Sequence, residues 1–146
     1  MTNSNDNQLN KRLVQKLYHD KRFTDEAIGR AFLNTPRHLF VRNTPLDRVY
    51  KDQVIPTKFA GNRPISSSSQ PAMMAIMLQQ LQVESGMNLL EIGAGTGFNA
   101  GLLSQSVGRS GRVTTIDIDQ DIVENAQAHL DAAGVTNVTV IQADGI

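Results

Sequence analysis

The pattern of apolar and polar residues predicts helices in the first part of the chain and a more regular alternation after residue 87. Residues 8–19 repeat apolar side chains at helical spacing, and Thr24 is placed to cap a second helix that ends before Pro36. Residues 41–65 show little periodicity and contain several prolines and glycines, which predicts loops and short extended pieces. A third helix is expected to begin at Pro71. Its predicted apolar face carries Met74, Met77, Leu78 and Leu81.

From residue 88 onward, short apolar runs alternate with helical segments. Strands are predicted at 88–92, 113–118 and 138–141, separated by a helix at 98–107 and by a second helix that starts at Asp119 or Gln120. Apolar strands rich in β-branched residues are typical of a buried parallel sheet with helices between the strands. The sequence therefore predicts an α/β fold: a Rossmann-like β-α-β-α-β sheet preceded by an N-terminal helical and loop segment.

Composition and charge narrow the class of protein. The chain has no cysteine, and no apolar stretch approaches the roughly 20 residues that a membrane helix requires. Residues 1–63 carry 12 Lys or Arg against 6 Asp or Glu, whereas residues 64–146 carry 2 against 8. Either the basic part docks on the acidic part, or it attracts an acidic substrate. The basic residues are dispersed and lack neighbouring aromatic residues, and the histidine spacings give no metal signature. We expect a cytoplasmic protein that binds neither nucleic acid, nor a membrane, nor a metal.

The glycine-rich segment LEIGAGTG, residues 90–97, carries the candidate chemistry. It follows the first predicted strand, where glycines let a ligand lie against the backbone and the next helix offers unpaired N–H groups. Asp117 ends the second strand, where a carboxylate can accept both hydroxyls of a ribose. Asp144 follows the third strand and can accept from an adenine amino group. Together with Glu91, these residues predict an adenosine-binding site.

Two adenosine cofactors fit this pattern to different degrees. Residues 95–100 match G-x-G-x-x-A, which a dinucleotide-binding domain uses. That match starts two residues after the first glycine, and residues 88–108 contain no Lys or Arg to meet a pyrophosphate. A cationic sulfonium tolerates the acidic Glu91 better than a pyrophosphate does. We therefore favour S-adenosylmethionine, with a dinucleotide-dependent oxidoreductase as the competing interpretation.

Longer stretches resemble known enzymes. The segments LLEIGAGTGFNAGLL, VTTIDID and QADG are similar to class I methyltransferases. The segments DEAIGRAFLNTPRHLFV at 25–41 and YKDQVIP at 50–56, followed by Ile65 and Ser69-Gln70-Pro71, resemble the protein-L-isoaspartate (D-aspartate) O-methyltransferase family in its order and spacing. The resemblance covers nearly the whole chain.

The resemblance implies methyl transfer from S-adenosylmethionine to the α-carboxylate of an L-isoaspartyl residue in a protein or peptide. It implies that Ser69 is the active-site serine, chosen over Ser66, Ser67 and Ser68 by the Gln-Pro that follows it. A helix N-cap is the alternative role for Ser69. The cofactor-binding residues that the resemblance and the pattern imply are Glu91, Gly93, Ala94, Gly95, Gly97, Asp117, Ile118, Asp144 and Gly145.

Two features depart from the family pattern. The lead into the serine is KFAGNRPI followed by four serines, which resembles a divergent branch associated with modified-peptide gene clusters, so another carboxylate is an alternative acceptor. The chain also stops just after the third predicted strand. We therefore expect a cap region at 1–65 and an incomplete cofactor-binding domain at 66–146. Such a chain is a fragment, self-associates through its uncompleted sheet, or is an inactive remnant or interaction module.

Other notable side chains have structural interpretations. His38 is expected to be a structural histidine, Arg37 and Arg63 to lie on the solvated surface, and His19 and His129 to be solvated on helices. Methionine fills irregular gaps in cores. Core positions are therefore expected for Met73, Met74 and Met77.

Overall fold

The computed structural model describes residues 4–146 and begins with a helical segment. Its elements are α1 (Ser4–His19), α2 (Glu26–Asn34), a 3₁₀ turn (Arg37–Leu39) and the single helical turn α3 (Leu46–Val49). Asp25 rather than Thr24 caps α2, because its carboxylate accepts a hydrogen bond of 2.8 Å from the Ala27 N–H. The predicted cap is therefore wrong by one residue, and the predicted helices are present.

A β-hairpin occupies much of the region expected to be loop. Strands β1 (Ile55–Ala60) and β2 (Arg63–Ser68) pair antiparallel, with Ala60 opposite Arg63. Gly61 has φ of 60° at the first position of the two-residue turn, which suits the turn types that join hairpin strands. These strands are the short extended pieces expected here, although their pairing was not predicted. Each contains a proline, which a two-stranded ribbon tolerates along its free edges. The expected domain boundary after residue 65 falls within β2.

Helix α4 (Pro71–Leu81) begins at the predicted proline but presents a different face to the core. Its buried stripe is Pro71, Ala72, Met74, Ala75 and Leu78. Met77 is 59% exposed, and Met73 and Leu81 are also exposed. The predicted core positions of Met73 and Met77 were therefore wrong, because small alanines rather than methionines complete the stripe that packs inward.

Three parallel strands follow the hairpin and α4. They are β3 (Asn88–Ile92), β4 (Arg112–Asp117) and β5 (Val138–Gln142), connected by α5 (Phe98–Val107) and α6 (Gln120–Ala132). The sheet order is β3-β4-β5, and both pairs are parallel. The predicted α/β fold with its β-α-β-α-β sheet is therefore confirmed. In residues 4–146 no helix combines the length and apolar character that crossing a membrane demands.

Helices pack on one face of the sheet, whereas the other face exposes apolar side chains. Helices α5 and α6 pack on one face. On the opposite face, Ile92, Ile116 and Ile141 lie side by side in register. Leu90 and Ile92 on that face are 63% and 65% exposed. The expected self-association through the sheet stays a prediction, and this apolar face is the surface it concerns.

One hydrophobic core joins the N-terminal helices to the sheet. Phe98, the first residue of α5, packs against Phe32 and Phe40, with ring centroids 6.2 Å and 5.5 Å away. These aromatic pairs bury large apolar areas. Because α5 starts directly after the glycine-rich turn, the helical segment supports that turn from behind.

Candidate functional site

The glycine-rich turn adopts a backbone conformation that side chains disfavour. Gly93, Gly95 and Gly97 have φ of 95°, 53° and 84°. The N–H groups of Gly93 and Ala94 both donate to the Ile116 carbonyl, at 2.8 Å and 2.9 Å. A Cβ added at Gly93 would meet no atom within 4 Å, so this side of the turn is open to a ligand.

The far end of the turn is closed by α6. A Cβ at Gly97 would lie 3.1 Å from the Ala126 carbonyl oxygen. His129 of the same helix hydrogen-bonds through Nδ1 to the Thr96 carbonyl at 2.8 Å, and its ring meets Phe40 edge-on. The expectation that His129 is solvated was therefore wrong, since its ring is partly buried against the turn.

Asp117 lies beside the turn, as the parallel topology predicts. Its Oδ2 accepts from the Gly95 N–H and its Oδ1 from the Asp119 N–H, each at 3.3 Å. The side chain is only partly buried. A carboxylate has about four acceptor positions, so Asp117 retains capacity for further donors such as ribose hydroxyls.

Glu91 points into the protein rather than along the open edge. Its Oε1 accepts from the Thr115 hydroxyl and its Oε2 from the Asn99 amide, both at 2.6 Å. Burial raises the pKa of Glu91 above its usual range, and the two hydrogen bonds oppose that rise. Glu91 thus ties β3 to β4 and α5 on either side of the turn. Its predicted role as a cofactor-binding residue stays a prediction.

The segment after β5 lies next to Asp117. The Ala143 N–H donates to the Asp117 carbonyl at 3.0 Å, which places the exposed Asp144 at the same edge of the sheet. A Cβ at Gly145 would lie 2.6 Å from Ile92 Cγ2, so the backbone of Gly145 packs closely against the end of β3. Ile118 is exposed beside Asp117 and offers an apolar surface at this edge. The structure therefore brings the predicted cofactor residues of all three strand ends to one edge.

The serine run has two distinguishable members near the site. Ser68 is buried, and its hydroxyl accepts from the Arg37 guanidinium at 3.3 Å. Ser69 is exposed, and its carbonyl accepts from Arg37 at 3.0 Å. The first turn of α4 is capped by Asp52, whose Oδ1 accepts from the Ala72 N–H at 2.8 Å. The N-cap interpretation of Ser69 was therefore wrong, and its hydroxyl is the one of the pair that faces solvent.

Arg37 is buried, so its predicted surface position was wrong. Only 1% of it is exposed. Besides the two serines, its guanidinium donates to the carbonyls of Val49, Lys51 and Gln53 at 2.9, 3.3 and 3.1 Å. Burial lowers the pKa of Arg37 to about 10, which leaves it charged at neutral pH. It therefore joins its own segment to residues 49–53 and to the end of the serine run.

His38 has the structural role that the sequence suggested. Its Nδ1 lies 2.7 Å from the Tyr50 hydroxyl, and its Nε2 lies 3.5 Å from the Asp6 carboxylate. Burial raises the pKa of Tyr50 to about 12. This group lies on the side of α1, where it joins the first helix to the segment held by Arg37.

Lys58 joins the hairpin to α6. Its Nζ lies 3.1 Å from Asp119 Oδ2 and 2.9 Å from Asp121 Oδ1. Across residues 4–146, these are the ion pairs that connect the basic first part to the acidic second part. Beneath the hairpin, a cavity of about 520 Å³ extends between Gly95-Thr96 and α6. The predicted docking of basic on acidic segments thus rests on this one lysine.

Sequence reasoning did not find several residues that shape the site. They are Asp52, Lys58, Asn99 and Thr115. Thr115 could have been recognised from its place in a predicted buried strand. A buried threonine hydroxyl requires a hydrogen-bond partner, which is Glu91 here. Asp52 and Lys58 are paired with residues 20 and 61 positions away in the chain, for which no local pattern exists, and Asn99 pairs with Glu91 across the glycine turn.

The parallel sheet, the glycine turn and the acids at the strand ends define a class I methyltransferase sheet. The family description protein-L-isoaspartate(D-aspartate) O-methyltransferase matches residues 7–146, and the chain belongs to that family. The protein-L-isoaspartate O-methyltransferase of Thermococcus sibiricus is 40% identical over 135 residues, which cover 92% of this chain and 58% of that protein. The chain thus spans about three fifths of that relative's length.

Two solved structures share the fold. One is a protein-L-isoaspartate O-methyltransferase with a TM-score of 0.85 and 34% identity, matched over 93% of this chain and 42% of the other. The second is a putative enzyme of the same name from Plasmodium falciparum in complex with S-adenosyl-L-homocysteine, with a TM-score of 0.79 and 16% identity. It covers 93% of this chain and 63% of the other, and at that identity it supports the fold alone.

Proposed function

We propose that this chain binds S-adenosylmethionine and forms part of an enzyme that methylates the α-carboxylate of L-isoaspartyl residues in proteins or peptides. The observation that carries the proposal is the placement of Asp117, which accepts from the Gly95 N–H at the edge where the glycine turn is open. Family membership supports the reaction class. The cytoplasmic setting stays a prediction.

The residues at this edge suit the cofactor chemically. Gly93 leaves room for a ligand against the backbone, and Asp117 retains acceptor positions for the ribose hydroxyls. The exposed Asp144 would accept from the adenine amino group, and Ile118 would contact the base. No basic side chain lies in residues 88–108 to balance a pyrophosphate, so a sulfonium fits better than a dinucleotide.

The acceptor needs little chemical activation from the protein. A carboxylate is ionised at neutral pH, so when the cofactor is bound its methyl group can pass from sulfur to the carboxylate oxygen, which leaves S-adenosylhomocysteine and a methyl ester. The protein's work is to hold the two reactants in line. Ser69 has an exposed side chain at the end of β2, and we assign it to orient the substrate carboxylate by donating a hydrogen bond.

Calorimetry with S-adenosylhomocysteine tests the cofactor site. Asp117→Asn should weaken binding about tenfold or more, because hydrogen bonds to a charged acceptor contribute about 1.5–3 kcal/mol each. Asp131→Asn is the matched control, since Asp131 is exposed on α6 and its carboxylate accepts a hydrogen bond from Gln127 of the same helix. Absence of binding by the unaltered chain at millimolar ligand, or equal affinity in Asp117→Asn, would contradict the proposal.

Turnover separates the enzyme from a remnant that only binds the cofactor. The chain is supplied with methyl-labelled cofactor and either an isoaspartyl peptide or the same peptide with ordinary aspartate. Labelling of the isoaspartyl peptide alone supports the proposed acceptor. Labelling of both peptides indicates a less specific carboxyl methyltransferase, and binding without labelling indicates the interaction module.

A further inference from the structure

The hairpin β1–β2 extends from the glycine turn to the start of α6. At its base, a Cβ at Gly95 would lie 3.7 Å from the Ser67 carbonyl oxygen, so β2 runs directly beside the turn. On the other strand, Lys58 reaches Asp119 and Asp121 at the N-terminal end of α6. The hairpin therefore covers the gap between the turn and the helix that follows Asp117.

Little apolar packing holds the hairpin in this position. Only Ile55 and Ser68, at the base, are buried, whereas Phe59 and Ile65 near the tip are exposed by more than half. An isolated two-stranded hairpin is marginally stable in water. The orientation of the outer part of the hairpin thus depends on its polar contact with α6.

The contact of Lys58 with α6 lies next to Asp117, the proposed acceptor for the ribose hydroxyls. Asp119 donates its N–H to Asp117, and Asp117 in turn accepts from Gly95. Asp117, Asp119 and Asp121 place three carboxylates within five residues, so their charges repel one another. The hydrogen bonds that Lys58 donates to Asp121 and Asp119 raise the pKa of Lys58 and lower the pKa of Asp121, so Lys58 and Asp121 are both charged at neutral pH.

We infer that Lys58 is a positioning residue that holds the hairpin closed over the cofactor edge of the sheet and so slows release of the cofactor. The inference rests on the proposed cofactor site. Without the lysine, the hairpin would open more often, and the carboxylates beside Asp117 would lose their counter-charge. The expected consequence is faster release of the cofactor product. Release from the unaltered protein should also become faster with added salt, because salt screens the lysine's ion pairs.

Dissociation of S-adenosylhomocysteine, measured by competition in rapid mixing, tests this role. Lys58→Met keeps the apolar stem and removes the charge, and we expect release about two- to fivefold faster at low salt, as for loss of a partly exposed ion pair. Lys58→Arg should retain slow release. Lys51→Met is the matched control, because Lys51 pairs at 3.7 Å with Asp47 and both side chains are mostly exposed. At about 0.5 M salt, where exposed charges are screened, the unaltered protein should approach Lys58→Met.

Hydrogen exchange of the hairpin amides in the ligand-free proteins provides a second readout. Residues 55–68 should exchange faster in Lys58→Met than in the unaltered protein, Lys58→Arg or Lys51→Met. Equal exchange and equal release in Lys58→Met and the unaltered protein overturn the inference and leave the cofactor site intact. Faster exchange with unchanged release overturns the link to the cofactor. If none of the proteins binds the ligand, the proposed function fails, and the link between Lys58 and the cofactor fails with it.

Discussion

Replacing Arg37 by lysine tests the idea that a buried guanidinium assembles the serine run. The side chain of Arg37 is 1% exposed and donates to five acceptors in the segments 49–53 and 68–69. Lysine keeps the charge and most of the length but has three donors on one nitrogen. It cannot reach acceptors on both sides of the planar guanidinium site.

The expected loss follows from the number of acceptors left without a donor. At least two of the five hydrogen bonds disappear in Arg37→Lys. Each buried bond to a charged donor contributes about 1.5–3 kcal/mol, and partial relaxation of the segments recovers some of it. We therefore expect the free energy of unfolding to fall by about 3 kcal/mol, a large share of the roughly 5–15 kcal/mol typical of a folded domain.

Urea unfolding measures this loss. Arg30→Lys is the matched control, because Arg30 has 64% of its side chain exposed and pairs with Glu26 at 3.7 Å on the surface of α2. The control should stay within about 0.5 kcal/mol of the unaltered protein. Arg37→Lys should lower the midpoint while the dependence on urea concentration stays the same. Equal midpoints for the two variants would refute the reasoning, since they would show that the buried hydrogen bonds contribute nothing that an ammonium cannot replace.

Two further predictions concern the glycine turn. Burial raises the folded-state pKa of Glu91, so between its ordinary and its raised value the folded state holds more protons than the unfolded state, and stability falls as pH rises through that interval. Glu91→Gln should lack this fall when unfolding free energies are measured from about pH 4 to 7; parallel curves for the two proteins would contradict the assignment. Gly97→Ala should lose about 2 kcal/mol or more, because its φ is 84° and its Cβ would lie 3.1 Å from the Ala126 carbonyl oxygen. Gly134→Ala, with φ of 71° and no atom within 4 Å of its Cβ, should lose only about 1 kcal/mol; equal losses in urea unfolding would show that the contact with α6 is unimportant.

The sheet and its turn could be predicted closely because their signals are local. The predicted strand 88–92 and helix 98–107 coincide with β3 and α5. A covered parallel strand requires a continuous apolar run, and the turn that follows requires glycines at its left-handed positions. Parallel topology then brings the ends of neighbouring strands to one edge, which is why Asp117 could be placed beside the turn from sequence alone.

The N-terminal half could not be predicted as well because its order comes from long-range pairing. The burial of Arg37 depends on carbonyl groups contributed by residues 49–53, and the ion pair between Lys58 and Asp119 spans 61 residues. Neither pairing leaves a periodic signal. The pairing of the hairpin was not predicted for a different reason: Gly61-Asn62 is a recognised two-residue hairpin signal, but the short extended pieces around it contain Pro56 and Pro64 and show little periodicity.

Buried contacts hold one side of the candidate site, and a partly exposed ion-pair cluster holds the outer part of the other. Glu91 and the contact of Gly97 with α6 fix the glycine turn on partly or fully buried elements, so the backbone of the proposed cofactor site is pre-arranged. The hairpin side is anchored at its base by Arg37 and at its outer part by the partly exposed Lys58. A site of this kind keeps its binding backbone rigid, while the cover opens with only the loss of one ion-pair cluster. Asp117→Asn is therefore expected to weaken cofactor binding at every salt concentration, whereas the effect of Lys58→Met is expected to disappear at high salt.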